Sequence, residues 1–315
     1  MESAAFGIHH ITAIAGEPQR SIDFYTGVLG LRLVKLTVNH DDPYTYHLYF
    51  GDGKGRPGTL LTFFPWPDAR NGSRGTGQAT AVSFSVPERS LGYWKQRLEA
   101  QGIPVQGPLR RFGEEVLVFT DPCGLTIELS PQPGIVDDPS VPPGRVPGKY
   151  AVRGLRGVTL FLEGHLRTAD LLVETLGFLP KEAQGDRFRY EAAGDGAGGV
   201  VDILSLPFPI EGRVAAGSVH HVAFRVPGPA EQAALRERLK TLGYDVTPVI
   251  DRVYFRSIYF REPGGVLFEI ATDSPGFAVD EPEDRLGTRL VLPPWLERER
   301  ALVEKVLPPV HLPAP

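Results

Sequence analysis

The chain has 315 residues, 42% of them hydrophobic and 23% charged, with a net charge of −5. That length suffices for two ordinary domains with filled cores, the lack of a basic stripe argues against nucleic acid, and no apolar run approaches the roughly 18 residues of a membrane span. Residues 1–5 show neither a cationic nor an apolar leader and Cys123 is the only cysteine, so a cytoplasmic protein without a disulfide or a multi-thiolate zinc site is expected.

One pattern recurs four times along the chain. Residues 7–15 read as a strand, Ser21–Leu29 as an amphipathic helix stopped by Gly30, and Arg32–Val38, Thr45–Tyr49 and Thr59–Phe64 as strands. The second copy has strands at Thr80–Val86, Val116–Thr120 and Leu125–Ser130, with a helix at Ser90–Ala100 closed by Gly102. The third runs from Leu155 through a strand to Leu162, a helix at Thr168–Thr175 closed by Gly177, and strands near Arg187–Glu191 and Val200–Leu206. The fourth starts at Ser218, has a helix at Ala230–Leu242 closed by Gly243, and ends in strands Tyr254–Arg261 and Val266–Ala271 around the turn Glu262-Pro263-Gly264-Gly265. The expectation is an α+β fold of four βαβββ modules. Modules one and two form an N-terminal domain (1–130), a Pro-rich linker follows (131–150), and modules three and four form a C-terminal domain (151–278). A tail (279–315) carries a helix near Pro294–Val306 that packs on its own fold or on a second subunit, so a homo-oligomer is left open.

Strand side chains alternate between the two faces. In module four, Val222, Phe224 and Val226 share an apolar face that belongs under the helix. His221 then looks into the cavity that a curved sheet encloses, and His220 falls in the core register. By the same phase His10, with Thr12 beyond it, faces the cavity in module one. Glu269 is a lone carboxylate in an otherwise apolar strand, a costly placement unless the charge is paired or binds a metal. Counting four residues on from each turn glycine aligns Glu269 with Glu128, Thr62 and Ile203, while Ala81 and Gly157 take the histidine positions of modules two and three. One complete site (His10, His221, Glu269) and one vestigial site (Glu128) are therefore expected. Thr62 stands where a fourth ligand would be. Two imidazoles and one carboxylate form the facial triad that suits non-haem Fe(II), with Mn(II) accepting the same ligands, and leave room for O2 and an organic substrate. His40, His47, His165 and His311 lack aligned partners and read as structural or surface residues. The Gly194–Gly199 run has no helix after it and reads as a loop.

Four βαβββ copies with His…His…Glu ligands resemble the vicinal oxygen chelate superfamily of glyoxalases, extradiol dioxygenases and fosfomycin-resistance enzymes. The stretch Tyr259-Phe260-Arg261-Glu262-Pro263-Gly264-Gly265-Val266-Leu267-Phe268-Glu269 is similar to the extradiol dioxygenase signature, but Arg252 stands where that signature has a histidine. Arg252, the doublets His9-His10 and His220-His221, and ligands from the first and last modules resemble the (chloro)hydroquinone 1,2-dioxygenases and bacterial ring-cleaving dioxygenases. The resemblance implies two vicinal-oxygen-chelate domains with curved mixed sheets around a metal cleft, and His10, His221 and Glu269 as iron ligands. It implies His9, Thr12, His220, Arg252 and Tyr259 as catalytic residues around them. The implied reaction opens a small hydroquinone-type aromatic with O2, Arg252 steadying a developing anionic oxygen and Tyr259 or a neighbouring histidine exchanging protons. The alternatives are a catechol extradiol dioxygenase, which would want a histidine in place of Arg252, and a glyoxalase-type isomerase or metal-binding protein. The isomerase would want a fourth ligand in place of Thr62.

Overall fold

The computed structural model describes residues 7–133, 146–193 and 197–313. Residues 134–145 of the expected linker and 194–196 of the glycine run lie outside the described residues. Module one comprises β1 (Ile8–Ala15), α1 (Pro18–Ile22, continued by a π-helical turn Asp23–Val28), β2 (Arg32–Asn39), β3 (Asp42–Gly51) and β4 (Leu60–Pro65). Module two comprises β5 (Gln78–Pro87), α2 (Leu91–Ala100), β6 (Gln106–Arg111), β7 (Glu114–Thr120) and β8 (Thr126–Gln132). Module three comprises β9 (Leu155–Glu163), α3 (Leu166–Asp170, continued by a π-helical turn Leu171–Thr175), β10 (Phe178–Gln184), β11 (Arg187–Ala192) and β12 (Val200–Leu206). Module four comprises β13 (Val219–Val226), α4 (Pro229–Thr241), β14 (Ile250–Asp251), β15 (Arg256–Arg261) and β16 (Leu267–Thr272). The tail carries a 3-10 turn, Glu297–Glu299, that leads into α5 (Arg300–Val306).

The α+β class and the four modules stand as the sequence indicated, in two curled mixed sheets of eight strands each. Their order is β14-β15-β16-β13-β1-β4-β3-β2 in one and β10-β11-β12-β9-β5-β8-β7-β6 in the other. Each sheet therefore joins modules from opposite halves of the chain: one with four, and two with three. The seams are antiparallel, β1 on β13 and β5 on β9, while β1–β4 and β13–β16 pair in parallel. Strands β6 and β10 escape a reading based on apolar alternation because both are outer strands with mostly exposed, polar side chains. Among the described residues no helix is long and apolar enough to cross a membrane.

The face assignment in module four holds. Val222, Phe224 and Val226 are fully buried together with Leu235 and Leu239 of α4, and the Phe224 ring lies 4.8 Å from that of Phe268 on β16. The one polar side chain of α4 facing the sheet, Gln232, donates from Nε2 to the carbonyls of Arg256 and Ile270, so its burial leaves no donor stranded. With the helix on that side of the first sheet, the opposite side is left for chemistry.

Candidate metal centre

Both histidine doublets sit at bulges in the β1–β13 seam. Ile8 pairs with Phe224 and His10 with Ala223, so His9 is an extra residue on β1; Thr12 pairs with His221 and Ala13 with Val219, so His220 is an extra residue on β13. A bulge breaks the period-two alternation and re-aims a side chain. Each extra imidazole consequently meets its neighbour, with Nδ1–Nδ1 distances of 2.9 Å for His9–His10 and 2.8 Å for His220–His221. This corrects the expectation that His220 belongs to the core register. It is half-buried and lines the cavity, whereas His9 is buried behind His10.

The Nε2 atoms of His10 and His221 lie 3.4 Å apart, and they stand 3.5 and 3.0 Å from Oε2 of Glu269. All three side chains are buried. Glu269 Oε1 accepts from Ser257 Oγ, while Oε2 faces the two imidazole nitrogens and no other donor among the described residues. Burial alone would raise the Glu269 pKa, yet the two imidazoles hold it well below the usual carboxylate range. His221 moves the other way, pushed down by burial against the pull of Glu269. A buried carboxylate oxygen whose only polar neighbours are two imidazole nitrogens converging on one point is either an ion pair with them or a shared metal site. Three donors at about 2.1 Å from one ion stand roughly 3.0–3.4 Å apart, from right-angled to tetrahedral spacing. The observed triangle fits a divalent cation. The neighbouring histidines suit the same role, because a ligating imidazole is normally oriented by a hydrogen bond at its other nitrogen. His9, itself held to the Thr272 carbonyl, provides that bond to His10.

The triad lines a cavity of about 340 Å³. Arg252 and Tyr259 also line it, Arg252 Nε lying 3.3 Å from Tyr259 Oη and Nη2 lying 2.9 Å from Asp41 Oδ2. Burial disfavours the Arg252 charge, but Tyr259 and Asp41 more than offset it and keep the guanidinium charged. Tyr259, raised by burial and by Glu269, stays a phenol near neutrality. Arg252 directly precedes a strained residue, the β-branched Val253, which adopts φ 69°, a left-handed conformation such residues rarely take. Two residues further on, the Phe255 ring lies 5.1 Å from the rings of both His9 and His10. Between them Tyr254 donates to Asp280 of the tail (2.9 Å), and Asp280 in turn accepts from the buried Lys35 (2.5 Å).

Thr12 does not line the cavity. It lies fully buried beneath it, Oγ1 to Oγ1 with Thr62 at 2.8 Å. Thr62 also bonds His47 Nε2 (2.9 Å), and His47 Nδ1 bonds Tyr49 Oη (2.8 Å). Thr62 therefore takes part in a hydroxyl–imidazole chain and offers no fourth charged ligand. His47 and His40, read from the sequence as structural or surface residues, both line the cavity. A usable signal for His47 existed, since it shares a face with Tyr49, whose ladder partner is Thr62 at the aligned ligand position. His40 gave none, because its ring meets Trp295 of the tail, 5.2 Å away in space and 255 residues further along the chain. His165 stacks on Phe188 at 3.6 Å, and His311 is exposed.

In the second sheet the expected remnant is occupied by ion pairs. Glu128 meets Arg111 at 2.9 Å, and Arg189 grips Asp202 with two bonds of 2.8 and 3.0 Å while reaching Glu114 at 2.8 Å. The ladders correct the alignment here. Gly157 pairs with Val200 and Thr159 with Asp202, just as His10 pairs with Leu60 and Thr12 with Thr62, so Asp202 and not Ile203 is the counterpart of Thr62. Ile203 is fully buried in the core.

The model of the Glyoxalase/Bleomycin resistance protein/Dioxygenase superfamily matches residues 7–129 and 158–270. A Bacillus subtilis (strain 168) protein provisionally named ring-cleaving dioxygenase MhqO is 46% identical over 313 residues, covering 99% of both chains. The chlorohydroquinone/hydroquinone 1,2-dioxygenase of Sphingobium indicum is 37% identical over 297 residues, 92% of both chains. A crystal structure of a B. subtilis protein provisionally described as a dioxygenase superposes with a TM-score of 0.94 at 45% identity over 99% of both chains. Glyoxalase I from Zea mays, at 14% identity and a TM-score of 0.64 over 85% of this chain and 92% of its own, shares the fold. With its two curled sheets, two matched segments and full-length relatives, the chain belongs to the glyoxalase/bleomycin resistance protein/dioxygenase superfamily.

Proposed function

We propose that the chain is a non-haem Fe(II)-dependent ring-cleaving dioxygenase that opens hydroquinone-type rings with O2, His10, His221 and Glu269 holding the ion. The observation that carries this reading is the convergence of Oε2 of Glu269 and two imidazole nitrogens, within 3.5 Å of one another, in a cavity walled by aromatic side chains. Relatives named for ring cleavage support the reaction, and the one named for hydroquinones supports the substrate class. The lack of a fourth charged ligand at Thr62 favours this reading over a glyoxalase-type isomerase.

A ferrous ion, when bound, supplies the electronic coupling between an electron-rich ring and O2. The protein's own groups do the rest. His9 and His220 fix the rotation of the ligand imidazoles, and Ser257 fixes the carboxylate. Arg252 stabilises negative charge on a ring oxygen as the ring opens, and Tyr259 Oη is a protonated group placed to donate. His47, fixed at both nitrogens, forms with Phe64 (4.4 Å between rings, tilted by 47°) an aromatic wall that confines the ring and excludes water. A reducing cytoplasm suits both a ferrous ion and the free, buried Cys123.

The test is anaerobic purification, loading with Fe(II) or Mn(II), and O2 uptake with methyl- or chlorohydroquinone beside catechol. Uptake with the hydroquinones, an open-chain product carrying two added oxygen atoms, and little uptake with catechol is the expected result. Uptake with catechol alone would make it a catechol extradiol enzyme. No uptake despite stoichiometric metal would point to an isomerase or binding protein. A His10→Ala variant that kept its iron and its turnover would sink the ligand assignment.

A further inference from the structure

The cavity is unevenly charged. Among the described residues that line it, Arg252 is the one lysine or arginine, and burial drives its neighbours His40 and His47 towards the neutral form. Arg252 is already engaged. Its Nη2 lies 2.9 Å from Asp41 Oδ2 and its Nε lies 3.3 Å from Tyr259 Oη. The partners of this ion pair differ in setting: the Arg252 side chain is 15% exposed and that of Asp41 71% exposed. Asp41 occupies the turn between β2 and β3, where its backbone N–H is held by Asn39 Oδ1, so the carboxylate is not needed to shape the turn. Asp251, the carboxylate next to Arg252 in sequence, accepts from the Val253 N–H. A carboxylate that could remain fully hydrated instead brings a negative charge to the cavity wall and occupies its cation.

We propose that Asp41 is a specificity-determining residue that restricts the site to hydroquinones with uncharged ring substituents by occupying Arg252; the inference rests on the hydroquinone reading given above. A methyl or halogen substituent leaves the pair undisturbed. An anionic substituent meets Asp41 as a like charge and reaches Arg252 only by displacing it, so the wrong ring is discriminated against by repulsion as well as by a missing attraction. Because Asp41 is exposed, the discrimination weakens as salt screens it.

The experiment compares Fe(II)-loaded full-length wild type with Asp41→Asn and Asp41→Ala. The substrates are methylhydroquinone and 2,5-dihydroxybenzenesulfonate, whose fixed charge is a poor metal ligand. The kcat/KM ratio of sulfonate to methyl ring should rise about tenfold or more in both variants at low salt, with Asp41→Glu close to wild type. A ratio unchanged in both variants overturns the proposal. So does an equal rise in the binding ratio of 4-hydroxybenzenesulfonate to 4-methylphenol when Asp41→Asn is made in an Arg252→Met background, since Asp41 would then act without occupying Arg252. Binding of 4-hydroxybenzenesulfonate and 4-methylphenol, two phenols that are not turned over, is read in parallel by quenching of Trp66 in the cavity wall. If no hydroquinone is consumed, the functional reading falls, while the ratio of these two binding constants still decides the role of Asp41.

Discussion

Ser257→Ala removes the hydrogen-bond donor that holds Oε1 of Glu269. Both residues have no exposed surface, so water does not take the place of the lost hydroxyl. A hydrogen bond to a charged group contributes about 1.5–3 kcal/mol. If that loss falls on the metal-bound state, it corresponds to roughly 10- to 100-fold in a binding constant. The same range is typical when a group that orients a metal ligand is removed. The Fe(II) dissociation constant should therefore rise about 10- to 100-fold, with a larger effect on affinity than on turnover at saturating iron, since Ser257 contributes no surface to the cavity. The assay is anaerobic competition with a calibrated chelator, alongside urea unfolding of the metal-free protein. An iron affinity equal to wild type in a variant that unfolds more easily would show that Ser257 supports the strand and not the ligand, and would refute the reasoning.

Arg189→Met in the second sheet removes both bonds to Asp202 and one to Glu114, but Arg187 stays 3.7 Å from Asp202 and Arg156 3.1 Å from Glu114, so the loss in urea unfolding should be about 1–3 kcal/mol. Iron affinity should not change, and a parallel loss of iron would mean that the two sheets are coupled. Acid should weaken the metal-free fold. Burial, with Arg252 nearby, lowers the His40 pKa from 6.5 to about 4, and burial also depresses that of His47. The unfolded chain then binds more protons than the folded one below about pH 6.5, so stability is complete above that value and falls as pH drops towards 4. His40→Gln should flatten that fall, and an unchanged pH profile would count against a neutral, buried His40.

The sequence pattern carried the modules and the triad for a physical reason: repeats and strand alternation are local properties, and His10, His221 and Glu269 follow from them. Departures from local regularity were invisible. His220 broke the period because its bulge is defined only by the partner strand, where Thr12 faces His221 and Ala13 faces Val219. Asp202 was displaced by one position because counting from a glycine assumes equal turns in every module, and the ladder with β9 shows otherwise. The His40–Trp295, Asp41–Arg252 and Lys35–Asp280 contacts join segments more than two hundred residues apart and leave no periodic trace. The charged filling of the second sheet was legible only as a single Glu128.

The seam between β1 and β13 has a consequence in time. The first strand is met on one side by β4 from its own module, but its other side waits for a partner whose histidine lies 211 residues further along. At about 5–20 residues per second, synthesis leaves that edge open for roughly 10–40 s. An unpaired edge invites other strands, so the nascent first module needs shielding until the fourth module arrives. The candidate metal site follows the same logic: a chain that stops anywhere before Glu269 assembles at most two of the three ligands. Metal retention would therefore report that synthesis has passed Glu269 and that β1, β13 and β16 have come together.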